Sequence, residues 1–321
     1  EWFPGWHVGI LRGGRPDDTA LCINGNENQW TLHTGHRQRD ILSLSHYAFG
    51  EELVPDLGYF SGSSHRLPDG RNGQSWARTT LSHNLVVVDE DDQATRDCGS
   101  NLELFGLAPG IEVIQASGEN VYPQCDIYRR ASALIKTPDG EPYVVDLFRV
   151  SGGQTHQYSF YANGSMTNRP SGQPVDLPDV WTTWVTNPQA IVSEEPQTFT
   201  WRYRDVDLDL ALLNTAPEID RVTITDAPGW RRATTEQLAL PPIQHILAES
   251  RQEDGGPHVT QYAAVITPYR GDSPILGARL LENDAESGLL AIEVKLNGRT
   301  DYIISARDQA ERQIGPVTVS G

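Results

Sequence analysis

Apolar residues in this chain recur with a period of two, in short runs cut by glycine, proline, aspartate and asparagine, and no segment carries a 3.6-residue stripe over three turns. That pattern constrains the fold more than anything else in the sequence. Period two places alternate side chains on opposite faces of an extended chain, so each run can bury one face against a partner sheet. Residues 8–12 and 19–23 are expected as the first two strands. Residues 41–49 (ILSLSHYAF) put Leu42, Leu44, His46 and Ala48 in one phase, and residues 81–89 (LSHNLVVVD) put His83, Leu85, Val87 and Asp89 in one phase. Two hairpins follow, 131–136 with 143–150 across PDGE, and 289–296 with 301–306 across Asn297–Gly298, the strongest turn signal in the chain. Residues 201–213 are expected as one long strand, with further strands at 259–267 and 317–320. Single helical turns are expected at 236–238 and 308–312, and the proline-bearing stretch 163–185 as a long loop. The fold class is all-β: a large antiparallel β-sandwich with a smaller β-rich C-terminal lobe. Residues 1–170 are expected to hold a first sandwich region with a half-site, and 171–321 the remaining strands and the lobe.

Composition narrows the function. The 321 residues carry 43 acidic against 25 basic side chains, a formal charge of −18, which argues against a non-specific nucleic-acid binder. It leaves room for an anionic substrate, because a few clustered arginines make a local positive cleft. Lysine is confined to Lys136 and Lys295. No apolar run approaches the length of a membrane span. Cys22, Cys98 and Cys125 contain no C-x-x-C pair and are expected as buried thiols rather than a disulfide framework. Met166 is the only methionine, so the chain does not begin with an initiator, and either removal of an upstream part or a place as one segment of a longer product is expected.

The candidate chemistry lies in the first quarter. His7, His33, His36, His46, His65 and His83 are six of the nine histidines. A polar segment, TLHTGHRQRD, precedes an apolar strand; Asp56 follows a proline; His83 and Asn84 open the next apolar run. Imidazole, carboxylate and imidazole on neighbouring strand ends suit a mononuclear metal site or an acid–base site. The same residue types also satisfy loop backbone groups, and spacing alone does not separate the two.

The string GHRQRDILSLSHYAFGEELVPDLGY, the W-x-x-T-x-x-SHN-x-V-V-V-D element with Gln93, Tyr128–Arg130 (YRR), YVVDLFRVSGG-x-x-H and the late DYIISARD together resemble the heparinase II/III-like family of polysaccharide lyases. The resemblance runs over essentially the whole chain but only to the family's C-terminal β part, so it implies an N-terminal α/α toroid of the same product as a partner. It implies a β-domain of a lyase that cleaves uronic-acid polysaccharide by β-elimination, in a bacterial-type periplasmic or secreted location. The isolated chain is then expected to be inactive or weakly active. The family's HxHxD element corresponds here to His36, Gln38 and Asp40. His36 is the implied catalytic or charge-neutralising group, and Tyr59 a second catalytic candidate. Gln38, Asp56 and His83 correspond to the ligands of one zinc or other divalent ion, weakened because Gln38 stands at the usual histidine. Three states follow: a metal on Gln38, Asp56 and His83; no metal, with Gln38 hydrogen-bonding Asp56 or His83; or compensation by His33 or His65. Asp40 with Arg37 or Arg39 is expected to orient the segment. Arg37, Arg39, His65, Arg66 and Trp76 are the substrate-binding candidates. Two other functions fit the sequence, a non-catalytic carbohydrate-binding or structural module presenting Trp76, Trp181 and Trp184 as a platform, and a metal-dependent hydrolase, which Gln38 disfavours.

Overall fold

A computed structural model describes residues 1–13, 20–24, 38–58, 72–138, 140–216, 218–229, 242–252, 255–256 and 258–320. The alternating runs fold as antiparallel strands in layered sheets. An eight-stranded sheet runs in the order Ser165–Asn168, Gln197–Tyr203, Val206–Leu212, Val259–Tyr269, Tyr143–Gly152, Cys125–Ile135, Ile111–Glu119 and Gly99–Ala108. A six-stranded sheet runs Gln173–Pro174, Thr186–Ile191, Arg221–Ala227, Ile243–Arg251, Thr155–Tyr161 and Val86–Val88. Strands from both sides of residue 170 share both sheets.

Period two explains the layering. One phase of Tyr143–Gly152 (Val144, Phe148, Val150) faces a core shared with Tyr158, Phe160, Ile246 and Ala248 of the six-stranded sheet. The other phase (Tyr143, Val145, Leu147) faces a second core with Leu290, Ile292, Val294 and Leu296. Those residues belong to a three-stranded sheet, Ile275–Asp284, Leu289–Leu296 and Arg299–Ser305, which with the Arg312–Ile314 and Val317–Val319 hairpin forms the smaller C-terminal lobe. A strand buried on both faces reads as a continuous apolar run, as YVVDLF does. A five-stranded N-terminal sheet, Trp2–Phe3, Val8–Arg12, Ala20–Asn24, Ser43–Ala48 and Glu51–Val54, completes the molecule.

Several elements differ from expectation. The 201–213 run is two strands joined by Arg204 and Asp205, with Tyr203 paired to Val206 and Arg204 at φ 57°. Residues 81–89 are not one alternating strand: a 3₁₀ turn at Thr80–Ser82 precedes a strand of only Val86–Val88, whose three residues are all buried. The 163–185 stretch contains Ser165–Asn168, Gln173–Pro174 and one helical turn at Asp179–Thr182. Residues 308–312 form a bend closed by Arg312 on Asp308, not a helical turn. Residues 236–238 lie outside the described residues. The Asn297–Gly298 hairpin forms as expected, with Leu296 opposite Arg299 and Gly298 at φ 72°. Cys98 is buried with Sγ donating to Ala94 O at 3.0 Å, and the partly buried Cys125 donates to Gly152 O at 3.5 Å. No helix among the described residues is long and apolar enough to cross a membrane.

Candidate functional site

Three chain segments converge beside the N-terminal sheet. Asp40 lies three residues before the Ser43–Ala48 strand and is buried; its carbonyl accepts from Ser43 N–H at 2.9 Å, the turn that launches the strand. Asp56 follows Glu51–Val54 and Pro55. Its Oδ1 accepts from Gly58 N–H at 2.7 Å, the local turn that aspartate favours, and Gly58 sits at φ 58°. His83 follows the 3₁₀ turn, with its backbone N–H on Thr80 O at 3.1 Å and no exposed surface.

These placements bring one ligand atom each of Asp40, Asp56 and His83 within 4.8 Å of one another. The tautomer of His83 is fixed by its surroundings. Nε2 lies 3.2 Å from the Ala77 carbonyl, which can only accept, so Nε2 carries the proton. Nδ1 then presents a lone pair; it is buried, has no hydrogen-bond partner among the described residues, and lies 3.8 Å from Asp56 Oδ2. The buried Nδ1 lone pair faces a carboxylate whose side chain is 27% exposed, and a positive charge between the two would satisfy both. An imidazole nitrogen and two carboxylates form a donor set suited to a divalent cation such as zinc, and an imidazole anchored through its far N–H is the usual support for a ligating histidine. The residues present fit a metal.

The expected ligand set is corrected here. Gln38 uses its amide nitrogen elsewhere: Nε2 donates to Gly58 O at 2.5 Å, which ties its segment to the turn after Asp56. Asp40, expected only to orient the segment, supplies the third donor. The expected weakening through a glutamine ligand therefore falls away, because a carboxylate brings the negative charge that an amide lacks. Little in the sequence separates Gln38 from Asp40, which stand two residues apart in HRQRD.

Among the remaining site candidates, Arg39 lies beside the cluster at the surface, with Nη1 on Arg78 O at 3.2 Å and 3.4 Å from Asp92 Oδ2. Trp76 has no exposed surface and cannot stack on a sugar from there; its Nε1 donates to Pro228 O at 2.5 Å and its ring packs 5.8 Å from that of Trp184. His36, Arg37, Tyr59, His65 and Arg66 lie outside the described residues, as does His33. His156 is buried, with its ring stacked on His258 at 4.4 Å and bonded to Thr260 and Gly152. A contact that the sequence does not announce is Ser159, whose hydroxyl donates to His83 O at 2.8 Å and meets His245 Nε2 at 2.7 Å.

Comparison with known proteins adds the family. Residues 1–257 match the family described as Heparinase II/III-like, C-terminal. Over 200 residues, 53% of the chain, it is 26% identical to an alginate lyase of Stenotrophomonas maltophilia (strain K279a), of which that stretch covers 27%. A heparan sulfate lyase HepC from Pedobacter heparinus superposes on 95% of this chain with a TM-score of 0.64 and 16% identity, and 42% of that chain is covered. A heparinase III superposes on 93% with a TM-score of 0.63 and 18% identity, and 41% of it is covered. The structural likeness shows the shared fold. The chain spans about two fifths of the solved relatives' length.

Proposed function

Because this chain belongs to the heparinase II/III-like family, we propose that it forms the β-sandwich side of a polysaccharide lyase cleft that acts on uronate-containing chains. The observation that carries the reading is the convergence of Asp40, Asp56 and His83 on one buried, unpartnered imidazole nitrogen. His36 stands four residues before Asp40, and Tyr59 three after Asp56. Anchoring the triad therefore anchors both segments that carry the proposed catalytic groups. A divalent cation bound there supplies a fixed positive charge that cross-links the three segments.

The reaction proposed is β-elimination. A base takes the proton from C5, beside the uronate carboxyl group; the electron pair forms the C4–C5 double bond; the C4–O bond breaks, and the departing oxygen takes a proton. The chemistry needs a group that offsets the carboxylate charge, a base and an acid. His36 is proposed to face the carboxylate and Tyr59 to exchange protons, with Arg37, Arg39, His65 and Arg66 around the anionic chain. The partners proposed are an acidic polysaccharide and an N-terminal helical domain, in a periplasmic or extracellular setting. The non-catalytic module draws less support, since it needs a tryptophan platform and Trp76 and Trp181 are buried.

The test uses a product in which this chain follows a helical domain, supplied with alginate, heparan sulfate and carboxyl-reduced alginate. Ultraviolet absorbance of unsaturated uronate is expected to rise with an intact uronate polymer and not with the reduced one. Chain cleavage that yields no unsaturated product would replace the lyase reading with hydrolysis.

A further inference from the structure

Three buried side chains outside the triad each grip the backbone beside a triad residue. Asn84, directly after His83, has no exposed surface. Its Nδ2 donates to the carbonyl of Pro55, the residue before Asp56, at 3.3 Å, and its Oδ1 accepts from Tyr161 N–H at 2.8 Å. Its own carbonyl accepts from Leu44 N–H at 3.1 Å, in the strand that follows Asp40. Gln93 closes both backbone groups of Ile41, next to Asp40: Oε1 accepts from Ile41 N–H at 2.9 Å and Nε2 donates to Ile41 O at 3.0 Å. Arg130 joins the set from below, with one Nη1 donating to both Leu42 O at 2.7 Å and Asn84 O at 2.5 Å. Its other edge is bidentate on Asp146, which also accepts from Ser132 and Tyr158.

These bonds are unlike ordinary strand pairing. The ladder between Ser43–Ala48 and Glu51–Val54 joins the Asp40 and Asp56 strands, but the triad residues lie outside it, and the strand that follows His83 belongs to the six-stranded sheet, so no ladder ties His83 to its two carboxylates. Side chains do that work instead, and each is fully engaged within the protein interior, where such bonds are strong and their loss is costly. We infer that Asn84, supported by Gln93 and Arg130, is a positioning residue that sets the distances between Asp40, Asp56 and His83. The inference rests on the cation site proposed above.

The experiment measures zinc affinity by chelator competition, and the cobalt ligand-field spectrum, for the whole chain, Asn84→Ala, Gln93→Leu and Asn214→Ala. Asn214 makes the same kind of clamp elsewhere, with Nδ2 on Gln261 O and Oδ1 on Ala263 N–H, both at 2.8 Å, and is equally buried. Asn84→Ala is expected to weaken zinc about 10- to 100-fold, the usual effect of losing a group that orients ligands, and to shift the cobalt bands. Gln93→Leu is expected to do the same and serves if Asn84→Ala does not fold. Asn214→Ala is expected to lower the melting temperature with affinity and spectrum unchanged. Unaltered affinity and bands in a folded Asn84→Ala or Gln93→Leu protein overturn the positioning role. Equal weakening by Asn214→Ala overturns it too, by showing a general loss of fold. A wild-type chain that takes up neither metal removes the site itself, and the positioning role with it.

Discussion

Three imidazoles, those of His83, His46 and His245, are fully buried in this protein. His83 is fixed by the Ala77 carbonyl on one side and faces Asp56 on the other. His46 has no partner on either ring nitrogen among the described residues, and burial pushes it down to about 3; burial does the same to His245. In the unfolded chain each would titrate near the ordinary 6.5. Below that pH the unfolded state takes up protons that the folded state refuses, so stability is full above about pH 6.5 and is lost as pH falls towards about 3. Within that window each group contributes a slope of up to about 1.4 kcal/mol per pH unit. The urea midpoint is therefore expected to drop between pH 7 and pH 5, and His46→Leu to reduce the drop; an unchanged midpoint across that range would contradict the assignment. At this scale the sequence was informative about residue type but not about reach. Asp56 and His83 stand out as candidate ligands through the family resemblance, since spacing alone does not separate ligands from side chains that satisfy loop backbone groups. The place of Asp40 beside Asp56 and His83 is a contact between segments far apart in sequence, which no local pattern encodes.

The elements that place those residues depend on a few backbone positions that only glycine fills easily. Gly152 sits at φ 105° where the pairing of Tyr143–Gly152 with Cys125–Ile135 shifts register, and a Cβ there would lie 2.1 Å from Gln124 O. Gly152→Ala is expected to cost more than about 2 kcal/mol, because backbone strain and a backbone clash add. Gly110→Ala, also at positive φ but with nothing within 4 Å, is expected to cost about 1 kcal/mol. Urea unfolding of the two variants measures the difference, and equal costs would mean that the bulge relaxes freely. Turn chemistry decided how much of this layer could be read. Asn297–Gly298 announces its hairpin, whereas the Arg204–Asp205 turn uses a non-glycine residue at positive φ and hides inside an alternating run. The 81–89 run misleads for another reason: all of Val86–Val88 is buried, so its apolar run carries no information about faces, and the 3₁₀ turn that presents His83 leaves no periodic mark.

Across the whole molecule, apolar layers on both faces of the eight-stranded sheet account for the legibility of the fold class. The sandwich and its C-terminal lobe follow from period two, since a sheet with two apolar faces needs a cover on each. The site was less legible because it is built from contacts between strand ends far apart in sequence. The chain spans about two fifths of its solved relatives, and the proposed chemistry needs an acid, a base and a charge-neutralising group together. Supplied alone with alginate or heparan sulfate, the chain is expected to release little or no unsaturated uronate; rapid release by the chain alone would show that the strands and their loops suffice. If Asp40, Asp56 and His83 hold a divalent cation, the zinc content of the wild-type, Asp40→Ala and Gln38→Ala proteins after dialysis against a low concentration of zinc will separate them. Near-stoichiometric zinc is expected in the wild type and Gln38→Ala, and loss of most of it in Asp40→Ala. A zinc-free wild type, or loss in Gln38→Ala with retention in Asp40→Ala, would rule this cation site out.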